Sequence, residues 1–122
     1  MSTALDQTLD ALADPVRRAV VDLLGEEPRR AGALAQALSL SPPAMSRHLR
    51  VLRRAGVVEE QAHEDDARVR IYRLRPEPLQ ELRSWVDEVS AFWGDQLEAF
   101  RVHAEASART KTKATKKARR PR

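Results

Sequence analysis

The chain has 122 residues, enough for one domain of ordinary size with a single core. It contains no cysteine, which excludes disulfides, thiolate metal sites and cysteine nucleophiles. No apolar run approaches the roughly 20 residues that a membrane span needs, and residues 1–13 lack the basic-then-apolar order of a signal peptide. We therefore expect a cytoplasmic protein with no membrane partner.

The net charge of +4 conceals a strong asymmetry along the chain. Residues 1–105 hold 14 arginines, no lysine and all 18 acidic residues, for a net charge of −4, whereas residues 106–122 hold four arginines and four lysines, for +8. The C-terminal segment has no apolar period, so burial cannot offset its ordering entropy. We expect a folded domain over residues 1–104 and a disordered basic tail over residues 105–122, which either binds phosphate nonspecifically or only aids solubility.

Two amphipathic helices are predicted at the N-terminus. The first, over residues 1–13, is too short to be stable alone and must pack on something. Asp14 is suited to cap the second helix, Pro15 to its first position, and Gly25 to its end. The apolar residues are Leu5, Leu9 and Leu12 in the first helix, and Val16, Val20, Leu23 and Leu24 in the second.

The stretch from residue 34 to residue 56 predicts the end of one short helix, a tight turn and a second helix. The Ser41 hydroxyl can cap that second helix, Pro42 can occupy its first position, and Gly56 can follow it as a C′ residue. Its apolar stripe is Met45, Leu49 and Leu52, and the residues off the stripe are Ser46, Arg47, Arg50, Arg53 and Arg54.

A β-hairpin follows, with strands at residues 57–62 and 68–74 and a charged tip at residues 63–67. Two helices followed at once by a hairpin are typical of a winged helix-turn-helix, so the predicted fold class is mainly α with a small β-hairpin. A long apolar helix over residues 79–102 is either a core helix or a dimer interface shared with the first helix, and we favour the dimer. The predicted interface residues are Leu5, Leu9, Leu82, Trp85, Val89, Phe92, Trp93 and Leu97.

The arginine-bearing helix predicts binding to double-stranded DNA, because a helix fits the major groove. Ala44 suits a thymine methyl, Ser46 a donor or acceptor, and Arg47 the O6 and N7 of guanine, while the later arginines suit phosphates. The acidic tip at residues 64–66 opposes DNA contact by the hairpin unless neighbouring arginines neutralise it. The predicted DNA-binding residues are Ser41, Ala44, Ser46, Arg47, His48, Arg50, Arg54, Arg68 and Arg70.

Several interpretations stay open at this point. The arginines could merely solvate a helix face, or the basic tail could carry nonspecific DNA coating while the folded part only dimerises. Arg17 and Arg18 are structural or solvated, or else contact phosphate or Asp22. His48 is a packing residue or a phosphate contact.

Catalysis finds no constellation in this sequence. Ser46 and His48 lie two positions apart on one helix, which points them to different faces. There is no glycine-rich phosphate loop, and His63 beside the acidic tip is read as part of a solvated turn. We therefore predict a protein that is not an enzyme, with no cofactor and no metal.

Four segments, at residues 11–18, 38–41, 44–52 and 55–58, carry a resemblance to the ArsR/SmtB family of bacterial winged-helix repressors. The resemblance covers about residues 5–103. It implies a homodimer with the first and last helices at its interface, which binds a palindromic operator and represses transcription. Phe92-Trp93 followed by Leu97 further resembles the branch of the family that lacks metal ligands.

Several positions depart from the family pattern. The family's cysteine motif would fall at residues 32–38, which hold alanine and leucine, and no histidine lies near Val89. Metal sensing therefore does not carry over, and the effector is unknown. Pro42 stands where many members have glutamine, Ser39 where glycine is common, and Arg30 where a hydroxyl-bearing cap is usual.

Overall fold

The computed structural model describes the backbone of residues 3–115 and the side chains of residues 3–109. Within that part of the chain it has five helices and one hairpin, which confirms the predicted class. The chain divides into two compact units, Met1–Ser84 and Trp85–Arg122. The elements are α1 (Ala4–Leu12), α2 (Pro15–Glu26), α3 (Ala31–Ala37), α4 (Pro42–Arg54), β1 (Val58–Ala62), β2 (Arg70–Leu74) and α5 (Pro76–Thr115).

The first two helices begin at side-chain caps. A capping box starts α1, because Thr3 Oγ1 accepts from the Asp6 amide and the Asp6 carboxylate accepts from the Thr3 amide, both at 3.1 Å. The sequence-based prediction did not include this capping box, and it placed the start of the helix at residue 1 instead of Ala4. At α2, Asp14 accepts from the amides of Val16 (2.7 Å) and Arg17 (3.3 Å), as predicted. The helix passes through Gly25 and ends one residue later.

The core of the first unit lies where α1 to α4 meet the start of β1. The inner face of α1 is formed by Thr8 and Ala11, while Leu5 is only half-buried and Leu9 is 38% exposed. Leu5 and Leu9 therefore lie toward the edge of the face that packs on this core. The buried apolar residues are Ala11, Val20, Leu24, Leu34, Ala35, Met45, Leu49, Leu52, Val57 and Val58.

Both helices of the predicted two-helix unit end in the same kind of turn. After α3, Ser39 has φ 56° and the Leu40 amide donates to Ala35 O at 2.9 Å. After α4, Gly56 has φ 76° and the Val57 amide donates to Leu52 O at 3.0 Å. These are Schellman turns, which need a left-handed residue. Glycine supplies it freely after α4, as predicted, whereas serine after α3 is strained by roughly 1–2 kcal/mol.

The hairpin is antiparallel, with its register running from Val58 opposite Leu74 to Ala62 opposite Arg70. The second strand begins at Arg70, two residues later than predicted. Arg29, between α2 and α3, pairs with Tyr72 through two backbone bonds of 3.0 and 2.8 Å. This bridge covers the edge of β2 that faces away from β1.

The last helix starts at Pro76 and continues to Thr115, longer at both ends than predicted. Residues 106–115 are helical where the lack of an apolar period predicted disorder. Alanine and arginine are strong helix formers, and Arg101 pairs with both Glu98 and Glu105 one turn away on either side. Residues 116–122 of the predicted tail lie outside the described residues. Among residues 3–115, no helix combines the length and apolar character that crossing a membrane requires.

Candidate nucleic-acid interface

The exposed face of α4 carries most of the predicted DNA-binding residues. Ser41 Oγ caps the helix by accepting from the Ala44 amide at 3.3 Å, and Met45, Leu49 and Leu52 are buried as predicted. Ala44 is half-buried. The exposed polar and charged side chains of the helix are Ser46, Arg47, Arg50, Arg53 and Arg54.

The arginines of this face fall into two groups. Arg47, Arg50 and Arg54 have no ion pair or hydrogen bond with any side chain among residues 3–109. Arg53 instead binds the carboxylate of Glu60 on β1, with Nη1 and Oε2 2.9 Å apart. Three guanidinium groups are thus left to attract phosphate from one helix face.

Glu60 joins the hairpin to α4. Its other oxygen lies 3.4 Å from Arg70 Nε, so one carboxylate holds two arginines, and its side chain is only 20% exposed. The hydroxyl of Tyr72, opposite Glu60 in the register, lies in the same cluster, and burial followed by the negative charge of Glu60 raises the pKa of Tyr72. We call Arg53, Glu60, Arg70 and Tyr72 the hairpin clamp.

The acidic tip is neutralised only in part. Arg68 binds Asp66 through Nε at 3.2 Å and Nη2 at 3.3 Å, and its side-chain hydrogen bond holds the pKa of Asp66 below 3.8. Arg70, the other arginine next to the tip, binds Glu60 instead. In the antiparallel register Arg70 lies opposite Ala62 and diagonal to Glu60. Its positive charge therefore neutralises Glu60 of β1 and not the carboxylates of the tip.

Arg17 and Arg18 have structural partners. Arg17 donates from Nε to Ala11 O at 2.6 Å and from Nη2 to Asp10 O at 3.2 Å. Arg18 Nη1 donates to the carbonyls of Leu12 (2.8 Å) and Ala13 (3.1 Å). Both guanidinium groups therefore satisfy carbonyls at the end of α1.

His48 is half-buried against α2. Its Nδ1 lies 3.5 Å from Arg17 Nη1, which places it between the exposed and buried faces of α4. This position agrees with the packing interpretation of His48. Its contact with DNA stays a prediction.

In the second unit, α5 carries a broad apolar face. Successive helix residues are ~100° apart, and the apolar positions cover an arc of about 140°. Val102, 51% exposed, projects from the opposite side. The exposed residues of the apolar face are Trp85 (42%), Val86 (44%), Phe92 (60%), Trp93 (57%), Leu97 (63%) and Phe100 (71%).

The residues at hand do not fit the family's best-known ligand, a metal ion. The chain has no cysteine, and α3 presents Leu34 and Ala35 to the core. No three metal-binding side chains of the described residues lie close enough together to hold an ion. The donor set therefore gives no step through a metal.

The sequence predicts neither the hairpin clamp around Glu60 nor the backbone bridge between Arg29 and Tyr72. Glu60 lies seven residues after Arg53, across the end of a helix, where no periodic rule pairs the two side chains. Arg29 follows Pro28 in a short polar segment whose pairing with Tyr72 spans more than 40 residues. A weak signal existed for Glu60 alone, because a strand places every second residue on one face and Glu60 shares its face with Val58.

The fold has two helices joined by a tight turn, arginines on the exposed face of the second helix, and a hairpin linked to that helix by ion pairs. These features define a winged helix-turn-helix DNA-binding protein. Comparison with known proteins agrees. The family described as "Helix-turn-helix domain" matches residues 12–61. The HTH-type transcriptional regulator Rv2034 of Mycobacterium tuberculosis is 38% identical over 95 residues, which are 78% of this chain and 83% of that protein.

Two further relatives identify the family. The HTH-type transcriptional repressor SmtB of Mycobacterium tuberculosis is 42% identical over 71 residues, 58% of this chain and 50% of that one. The structure of an ArsR-like transcriptional regulator from Rhodococcus sp. RHA1 superposes with a TM-score of 0.68 at 27% identity, covering 83% of this chain and 92% of that one. The chain belongs to the ArsR/SmtB family of winged helix-turn-helix transcriptional regulators. It is a DNA-binding regulator of transcription and, as predicted, not an enzyme.

Proposed function

We propose that this regulator is a homodimeric repressor in which two α4 helices read the half-sites of a palindromic operator. The observation that carries the proposal is the pairing of two surfaces, the apolar face of α5 and the three uncommitted arginines of α4. A relative, SmtB, is named a repressor, which supports the sign of regulation.

The apolar face of α5 is the proposed dimer contact. Its four exposed aromatic residues present of the order of 400–500 Å² of apolar surface, as much as the largest patch on a typical monomer. A second copy of the same face can cover this surface in a self-complementary contact. Leu5 and Leu9 of α1, which lie toward the edge of the packed face and stay partly exposed, are proposed to add to the interface.

In the proposed complex the first two turns of α4 lie in the major groove. Arg47 is placed to donate to guanine O6 and N7, with Ala44 and Ser46 beside it. Arg50 and Arg54, one and two turns further along, hold the helix on phosphates. His48, half-buried against α2, and Ser41, committed to its cap, sit at the margin of this contact.

The hairpin contributes less. Arg68 and Arg70 are each committed to a carboxylate, so the charge that they offer to phosphate is reduced. We propose that Arg70 contacts the backbone next to the half-site while it remains in the clamp. Two half-sites about 34–36 Å apart follow from one turn of B-DNA between dimer-related helices.

The test is Leu97→Glu, with Val102→Glu as its matched control. Both changes put a carboxylate at an exposed apolar position of α5, but only Leu97 lies on the apolar face. Sedimentation equilibrium should show a dimer for the wild type and Val102→Glu, and a monomer for Leu97→Glu. Footprinting should show a symmetric site that Leu97→Glu no longer protects. A wild-type monomer, or a Leu97→Glu dimer, contradicts the proposed interface.

The charge of +8 in residues 106–122 supports a second candidate, nonspecific DNA coating through the C-terminal segment. Deleting residues 106–122 separates the two functions. Under the proposed function the truncated protein keeps its preference for the operator and its affinity depends less steeply on salt. Loss of all binding favours the coating function.

A further inference from the structure

Arg17 occupies a junction of three helices. Its guanidinium donates to Ala11 O and Asp10 O at the end of α1, and its remaining nitrogen, Nη1, lies 3.5 Å from His48 Nδ1 on α4. The same nitrogen is 3.9 Å from the carboxylate of Asp14, the cap of α2. The Arg17 side chain is only 18% exposed.

The end of α1 needs these donors. Its last turn has no basic residue, and Ala13 follows in an ordinary right-handed conformation instead of a left-handed cap. The last carbonyls of a helix have no intrahelical partner and carry partial negative charge. A guanidinium group, with five donors in a fixed plane, can bind two such carbonyls and still present an N–H elsewhere. Arg17 presents it to His48.

Apolar packing does not fill the whole space between α1 and α4. Met45, Leu49 and Leu52 hold the helix to the core, but next to them a pocket of about 390 Å³ opens between α1 and α4. Arg17 lines this pocket together with Val51 and Arg54 of α4. Because the pocket is open to solvent, it is not filled by packed side chains, and the contact between Arg17 and His48 adds a polar link that opposes a tilt of α4 toward α1.

We propose that Arg17 is a positioning residue for DNA recognition: by joining the end of α1 to His48, it fixes the orientation in which α4 presents Ser46 and Arg47. The inference rests on the proposed reading of bases by α4. His48 faces Arg17 and Asp14, and its Nδ1 can accept from Arg17 Nη1 when the ring is neutral and carries its proton on Nε2. Loss of this contact removes no side chain that is proposed to touch DNA. It changes only the direction in which α4 presents those side chains.

The experiment compares Arg17→Gln with Arg18→Gln in the full chain. Each change removes a guanidinium from the end of α1, but only Arg17 touches α4. The readout is the ratio of affinities for the selected operator and for a random duplex of equal length, at one salt concentration. Both variants should melt at lower temperature. Arg17→Gln should reduce the ratio by at least about fivefold, the loss expected when one good base contact is misaligned, and Arg18→Gln by less than about twofold.

A third variant protects the test against loss of folding. Arg17→Lys keeps a positive charge at the end of α1, but one ammonium group cannot reach the α1 carbonyls and His48 in the same geometry. Its ratio should also fall. If Arg17→Lys keeps the wild-type ratio, or Arg18→Gln loses as much as Arg17→Gln, the positioning role is refuted.

Arg47→Ala distinguishes this failure from failure of the proposed function. If α4 reads bases, Arg47→Ala lowers the same ratio, and adding Arg17→Lys to it lowers the ratio by less than Arg17→Lys does alone, because the contact that Arg17 aligns is already absent. If Arg47→Ala leaves the ratio unchanged, the reading of bases by α4 is wrong. If Arg47→Ala lowers it and Arg17→Lys does not, only the positioning role is wrong.

Discussion

Glu60→Gln should move fold stability and DNA binding in opposite directions. The carboxylate of Glu60 holds Arg53 at 2.9 Å and Arg70 at 3.4 Å, and glutamine keeps the shape of the side chain while removing its charge. Two arginines are then left close together without a shared counter-ion. The fold loses a tie between α4 and the hairpin, while the DNA-facing surface loses a negative charge.

The cost to stability follows from exposure. Arg53 is 51% and Arg70 58% exposed, so each pair is partly screened and contributes at most about 1 kcal/mol. The Glu60 side chain, only 20% exposed, places both pairs near that upper limit. The expected destabilisation is about 1–2 kcal/mol, and about 4–8 °C in melting temperature accompanies each kcal/mol in a unit of this size.

The effect on DNA follows from counter-ion release. Each additional phosphate neutralised steepens the dependence of log K on log salt by about 0.9. Freeing Arg53 and Arg70 should therefore steepen the slope by about 1–2 and strengthen binding to random DNA at low salt. The measurements are thermal melting and salt titration of binding to an operator and to a random duplex.

Glu59→Gln is the matched control. Glu59 is the neighbouring residue on the other face of β1, is 39% exposed, and lies 3.7 Å from Arg73 and 3.9 Å from Arg75. Its replacement should change both measurements less. If Glu60→Gln leaves the salt slope unchanged, Arg53 and Arg70 do not lie near phosphate, and the assignment of the hairpin clamp to the DNA-facing surface is refuted.

Three further predictions concern single side chains. Arg47→Ala should cost roughly 1–3 kcal/mol of operator affinity and relax base preference, whereas Arg54→Ala should weaken all sequences alike; equal losses on operator and random duplexes for both variants would refute this division. Ser39→Gly should remove left-handed strain and stabilise the fold by up to about 1 kcal/mol in chemical denaturation, a gain that any essential contact of the hydroxyl would abolish. Burial acts to raise the pKa of Asp14, but hydrogen bonds from the Arg17 and Val16 amides outweigh it and hold the pKa below 3.8. The stabilising charge of Asp14 is therefore present at neutral pH and is lost as the pH falls through that lowered pKa. Asp14→Asn should therefore flatten the acid limb of stability against pH, and the exposed Asp22→Asn should not.

Local rules in the sequence predict the elements that contain the reader. Ser41, Pro42 and Gly56 each act within four residues of the helix end that they define, so their roles follow from backbone chemistry alone. The buried stripe of α4 follows from its period. The bounds of α5 did not follow, because alanine and arginine extend a helix without leaving an apolar pattern.

The tertiary partners of charged residues could not be predicted in the same way. Arg17 and Arg18 lie beside an apolar stripe, a position that fits solvent, phosphate or carbonyl contact equally well. Only the packing of α1 on α2 brings the carbonyls of Ala11 and Leu12 to them. The choice of Glu60 by Arg70, in place of the acidic tip, likewise depends on strand register, which a shift of one residue would reverse.

The distribution of arginine contacts explains how a folded segment with a net charge of −4 can bind DNA. Away from α4, most arginines of the described residues are paired with nearby acidic residues or with helix carbonyls, whereas Arg47, Arg50 and Arg54 have no such partner there. Attraction to phosphate depends on the local potential, so α4 presents positive charge although residues 1–105 are acidic on balance. All basic side chains of residues 1–105 other than histidine are arginines. A guanidinium can bind a carboxylate with two donors and keep other donors for phosphate, whereas a compact ammonium group cannot do both in one fixed geometry.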